Sequence, residues 1–230
     1  YSGVETCPSW AATGQREDHI SGDIAVAAWQ YWLMTGDADW LRTVGYPLLE
    51  GIADFWVSRS TQDRPAAAYH IKGVIPPDEY VDHVDDSVYT NFVARLALQA
   101  TIQAAAVLNT TCDRCATYQS VAEGLVLLFD EDLQIHPEYA GYPGNLVKQA
   151  DVVLLHYPLG LDMPANVQLS DLEYYSSRTD PKGPAMTWGM HCIGYLDLQQ
   201  FDRAAQFFNM SFQDNMHAPL MVWTETVSRR

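Results

Sequence analysis

The chain has 230 residues, of which 48% are hydrophobic and 12% aromatic, enough apolar material for the core of one large domain or two small ones. Against 29 Asp and Glu it carries 13 Lys and Arg, a formal net charge of −16. Such a surface repels a nucleic-acid backbone or an anionic membrane, and apolar runs such as "VVLLHYPLGL" fall short of the ~18 residues that span a bilayer. Neither nucleic acid nor a membrane span is expected.

From His19 to Arg59, apolar residues recur at helical spacing: Ile20, Ile24, Ala27, Ala28 and Tyr31, then Trp40, Leu41, Val44, Leu48, Leu49, Ile52, Phe55 and Trp56. Two helices are predicted, joined at "MTGDADW", where a glycine stops the first and an aspartate caps the second. A loop containing Pro76 and Pro77 follows. Residues 89–108 and 116–128 form a second helical pair, and "DEDLQIHPEYAGYPG" is a long loop. "NLVKQADVVLLHYPL", residues 145–159, fits a helix or a buried strand, and helix is favoured by its neighbours. Further helices are predicted over 169–177, 186–198 and 202–215. Successive helical hairpins, with long loops alternating with short ones, are the pattern of an α/α toroid. Long loops on a rigid scaffold are where function is expected.

Four cysteines are present, and Cys112 and Cys115 have the C-x-x-C spacing of a redox pair, half a zinc site or a local disulfide. No second pair has ligand spacing, so the local disulfide is expected. Two sequons, at Asn109 and Asn209, lean with it toward an extracellular or secretory, lysosomal or vacuolar setting.

Three loop-borne stretches mix charge with aromatic or amide groups: "PPDEY" with Asp78, Glu79 and Tyr80, "VKQAD" with Lys148 and Gln149, and "MVWTETV" with Trp223 and Glu225. A pyranose needs that mixture, because its hydroxyls bind carboxylates and amides while its ring face packs on an aromatic. Inverting hydrolysis of a glycosidic bond needs one carboxylic acid to protonate the leaving oxygen and one carboxylate to activate water. Glu79 and Glu225 are the candidates, and Asp78 is expected to position the loop. No metal or organic cofactor is needed. The motifs of serine hydrolases, nucleotide-binding loops and zinc proteases do not occur in the sequence.

Together, "HISGDIAVAAWQYWLMTGD", "FWVSR", "GVIPPDEYVDHVDDSVYTN", "VKQADVVLLHYP", "DPKGPAMTW" and "VWTE" resemble family 65 of the glycoside hydrolases, which contains acid trehalases, kojibiose and maltose phosphorylases and related hydrolases. The resemblance implies an all-α fold, with residues 1–230 a single domain from the central portion of an (α/α)6 barrel that this chain alone does not complete. It implies inversion at α-linked glucose, with Glu79 as general acid and Glu225 as the general base of the hydrolases. The phosphorylases lack that second carboxylate, so water is the expected nucleophile. Lys148 and Gln149 match the pair that holds the non-reducing glucose, and Trp188 is expected to help shape the pocket. Asp78, Tyr80 and Trp223 are also expected at the substrate. Asp85 and Asp86 stand where the family usually has asparagine, which could place an extra charge near Glu79.

The implied function is an exo-α-glucosidase that releases terminal glucose from glucosyl-galactosyl-hydroxylysine or a related disaccharide. An acid trehalase, and a carbohydrate-binding or structural protein on the same scaffold, are the alternatives. The expected partners are the α-glucoside and the remaining segments of the same enzyme, separate or covalently linked. The basic ending "SRR" fits proteolytic processing.

Overall fold

A computed structural model describes residues 6–8, 10–63 and 67–226; the ending 228–230 lies outside the described residues. The chain divides into two compact units, residues 1–76 with 82–127, and residues 77–81 with 128–230.

In the first unit, a short helix α1 (Thr13–Arg16) precedes α2 (His19–Thr35). Gly36 ends α2 in the left-handed conformation, φ 62°, its N–H donating to the Trp32 carbonyl at 2.9 Å. The Asp37 carboxylate then accepts the N–H groups of Asp39 and Trp40 and so caps α3 (Ala38–Trp40). A π-helical turn, Leu41–Gly45, continues into α4 (Tyr46–Arg59), which carries Pro47 in its first turn, where a missing N–H costs nothing. Strands β1 (Ser60–Gln62) and β2 (Tyr69–Ile71) pair antiparallel, with Ser60 opposite Ile71.

Helix α5 (Val88–Leu108) starts where the Ser87 hydroxyl accepts the Thr90 N–H. It ends at left-handed Asn109 and is followed by α6 (Cys115–Gly124). Helices α2, α4 and α6 pack on α5, thirteen of whose residues are buried. The contact with α2 depends on Gly22, where a Cβ would lie 2.6 Å from a Val93 methyl. By length and composition α5 could cross a bilayer, the one such helix among the described residues; more than half of its apolar window is buried inside the protein, as in a core helix.

In the second unit, a long loop with a 3-10 turn at Val152–Leu154 leads to α7 (Ala165–Ser176), α8 (Met186–Asp197) and α9 (Phe201–Met210). Strands β3 (Met216–His217) and β4 (Val222–Trp223) form a small hairpin. Trp188, His191 and Tyr195 of α8 stack on Phe207 of α9, making an aromatic core.

The sequence predicts about eight substantial helices. The helix expected over 145–159 is not there. Its donors go elsewhere: the N–H groups of Val147, Lys148 and Ala150 bond the Arg178 carbonyl, Asp78 Oδ1 and Thr187 Oγ1. Two predicted helices are also shorter than expected. Helix α6 stops at Gly124 because the chain turns to pair with β2, Val126 donating to the Tyr69 carbonyl at 3.0 Å. Helix α9 yields to turns after Met210.

Candidate active site

Pro76 and Pro77 fix the approach to Asp78, which is 1% exposed. Its Oδ1 accepts the N–H of Tyr80 at 3.1 Å and of Lys148 at 2.7 Å, and its own N–H donates to Asp151 Oδ2 at 3.1 Å. The Asp78 carboxylate therefore faces the main chain and holds two loops together. Gln149 Nε2 donates to the Pro77 carbonyl at 2.6 Å, which reinforces the same junction. Beside it, the Lys148 ammonium pairs with the Glu79 carboxylate, both groups being about one-third exposed. The hydroxyl of Tyr80, a half-exposed ring, donates to Asp180 Oδ2 at 2.7 Å; that bond pushes the Tyr80 phenol up and the Asp180 carboxyl down.

The "DPKGP" turn closes tightly on this junction. A Cβ at Gly183 would lie 2.2 Å from the Lys148 carbonyl oxygen, so any side chain there would force the two loops apart. At the start of α8, the buried Thr187 hydroxyl accepts the Ala150 N–H at 3.1 Å. Two residues earlier, the Ala185 N–H donates to the Glu225 carbonyl at 2.8 Å, and Asn215 Nδ2 donates to the carbonyls of Thr224 and Glu225. Residues 77–80 of "PPDEY" and the "VKQAD", "PAMTW" and "VWTE" stretches, far apart in sequence, are thus tied together by hydrogen bonds inside the second unit. The Glu225 side chain is exposed. Trp223 is 40% exposed, its indole N–H donating to the Ser211 carbonyl at 2.9 Å, whereas Trp188 is buried in the aromatic stack. Among the described residues no cluster of His, Cys, Asp or Glu is arranged to hold a metal ion.

Beneath Asp78 lie two more buried acids, Glu138 and Asp151. Burial drives both carboxyls up, and the Asp78 charge adds to the effect on each. Glu138 falls in the long loop "DEDLQIHPEYAGYPG", and no motif in the sequence assigns a role to it or to Asp151. The missed signal was the acid in "HPEYAGYPG", a loop too aromatic to be plain solvated surface. Asp86, by contrast, is taken up within the first unit, where its carboxylate meets His70 Nδ1 at 2.7 Å and Asn91 Nδ2 at 3.2 Å.

Residues 4–145 match the glycosyl hydrolase family 65 central catalytic domain, so the chain belongs to that family. It is 44% identical to the protein-glucosylgalactosylhydroxylysine glucosidase of Dictyostelium discoideum over 98% of this chain and 32% of that protein. It is 39% identical to a kojibiose hydrolase of Mucilaginibacter mallensis over 98% of this chain and 33% of that protein. The chain spans about a third of the length of these curated relatives. The solved structure of a "Putative kojibiose phosphorylase from human microbiome" superimposes with a TM-score of 0.74 at 19% identity, covering 90% of this chain and 36% of that one. The fold is accordingly all-α and part of an (α/α)6 barrel.

Proposed function

We propose that this chain carries the catalytic centre of an inverting exo-α-glucosidase that removes terminal glucose from glucosyl-galactosyl-hydroxylysine or a related disaccharide. The observation that carries the reading is the junction of "PPDEY" with "VKQAD", which sets Glu79 and Lys148 side by side on a rigid, buried support. In this reading Glu79 protonates the glycosidic oxygen as the bond to the anomeric carbon breaks. Glu225 takes a proton from the attacking water on the opposite face. Lys148 leaves Glu79 for a sugar hydroxyl when glucose binds, and Gln149, Tyr80 and Trp223 complete the contacts. The names of the two relatives, one a glucosidase and one a kojibiose hydrolase, support hydrolysis over phosphorolysis.

Glu79→Gln and Glu225→Gln, made in the polypeptide that carries this chain, are each expected to abolish nearly all turnover while leaving glucose binding intact. Full activity in either variant would overturn the assignment. The same reading makes the rest of the enzyme the chain's partner. Ile20, Ile24, Leu33 and Met34 of α2 are exposed apolar side chains that such a partner would cover. Residues 1–230 expressed alone are then expected to self-associate in light scattering; a stable monomer would contradict this.

A further inference from the structure

Counted as ionised carboxylates, the clustered acids Asp78, Glu138 and Asp151 do not balance. Asp78 Oδ1 has two N–H donors and Asp151 Oδ2 has one. Asp78 Oδ2, Asp151 Oδ1 and both carboxyl oxygens of Glu138 are buried with no donor. A buried oxygen left without a donor is costly, and three charged carboxylates together are costlier. Lys148, the nearby cation, is engaged with Glu79. One retained proton removes a charge and gives one of these oxygens a donor, and Glu138 is the member with no N–H donor of its own.

We propose that Glu138 is a positioning residue: a neutral carboxylic acid that donates its O–H to Asp78 Oδ2 and so holds the Asp78 carboxylate against the Tyr80 and Lys148 main chain. This rests on the reading of Glu79 as the acid, because the Asp78 contacts set the backbone on both sides of the Glu79–Lys148 pair. Glu138 is 0% exposed, so it touches no substrate and acts through Asp78. Its own loop is fixed from behind: Asp171 of α7 accepts the His136 N–H at 2.8 Å and meets its Nδ1 at 2.7 Å, and the Tyr175 hydroxyl donates to the His136 carbonyl at 2.8 Å. The titratable groups that face Glu138 are Asp78, Asp151, Tyr139, Tyr142 and Tyr175. Burial and the two aspartate charges push its carboxyl well above the usual range.

The test is the pair Glu138→Gln and Glu138→Ala in the polypeptide that carries this chain. Gln retains a neutral donor of the same length, so kcat stays within about threefold of wild type, while Ala lowers kcat about a hundredfold through misplacement of the acid. Gln as impaired as Ala, with both folded, overturns the proposal, as does full activity in Ala. If Ala does not fold, the pH dependence of stability decides. A carboxyl whose folded pKa is raised loses stability as pH climbs from the ordinary glutamate range, so wild type falls more steeply than Glu138→Gln between about pH 5 and about pH 9. Parallel curves would overturn the proton assignment. Wild type that releases no glucose from any α-glucoside would sink the proposed function instead, while the stability comparison would still report on the Glu138 proton.

Discussion

Asp78 and Lys148 are joined through the main chain: the Asp78 Oδ1 atom accepts the Lys148 N–H at 2.7 Å. The carboxylate next to the candidate acid is therefore spent on architecture. Asp78→Ala strands the N–H groups of Tyr80 and Lys148 at a partly buried junction and is expected to cost about 2 kcal/mol of stability, read from denaturant unfolding. A loss below about 0.5 kcal/mol would show that the two loops are held by other contacts.

His191 sits fully buried on α8, with neither ring nitrogen hydrogen-bonded, and burial lowers its pKa from 6.5 to about 4. The unfolded chain binds the proton first as pH falls, so the stability His191 contributes is intact above pH 6.5 and lost toward pH 4. His191→Phe keeps the aromatic stack and removes the titration. Wild type should lose up to about 3 kcal/mol more than the variant between pH 7 and pH 4. Thermal unfolding across that range checks it, and identical acid limbs would contradict it.

Asp86 has φ 52°, a left-handed conformation that Asn and Asp tolerate better than other side chains with a Cβ. Those are the two residues that the family resemblance exchanges here. Asp86→Asn keeps the conformation and an acceptor for Asn91, and is expected to cost about 1 kcal/mol. Asp86→Ala loses both and is expected to cost about 2–3 kcal/mol. Equal losses on unfolding would show that the backbone conformation plays no part.

Asn109 is an exposed left-handed residue just beyond α5, whereas the other sequon residue, Asn209, lies within α9. Cys112 and Cys115 follow closely, with Cα atoms 5.4 Å apart, within the range that a disulfide spans. In a secretory compartment Asn109 is the expected glycan site and the two cysteines the expected disulfide. Peptide mass spectrometry after glycan removal, without reduction, checks both; an unmodified Asn109 with two free thiols would contradict the setting.

Helical periodicity and punctuation made much of the fold legible: Gly36 and Asp37 end one helix and begin the next, and the apolar spacing through 89–108 marks α5. The stretch 145–159 misled because its apolar run follows from burial alone. Its backbone donors are satisfied by Asp78, Arg178 and Thr187, partners that periodicity cannot reveal. The stretches that carry Glu79 and Lys148 stand out in the sequence by their mix of charged, amide and aromatic groups, but the pairing of the two side chains does not. Glu138 was not legible, since its role depends on a count of donors around three acids that only folding brings together.

The most direct test of the central claim is the anomer of glucose first released from an α-glucoside by the polypeptide that carries this chain, followed by proton NMR before mutarotation. Inversion by Glu79 and Glu225 predicts β-glucose as the initial product. Initial α-glucose would mean retention and would contradict the assigned roles of both carboxylates.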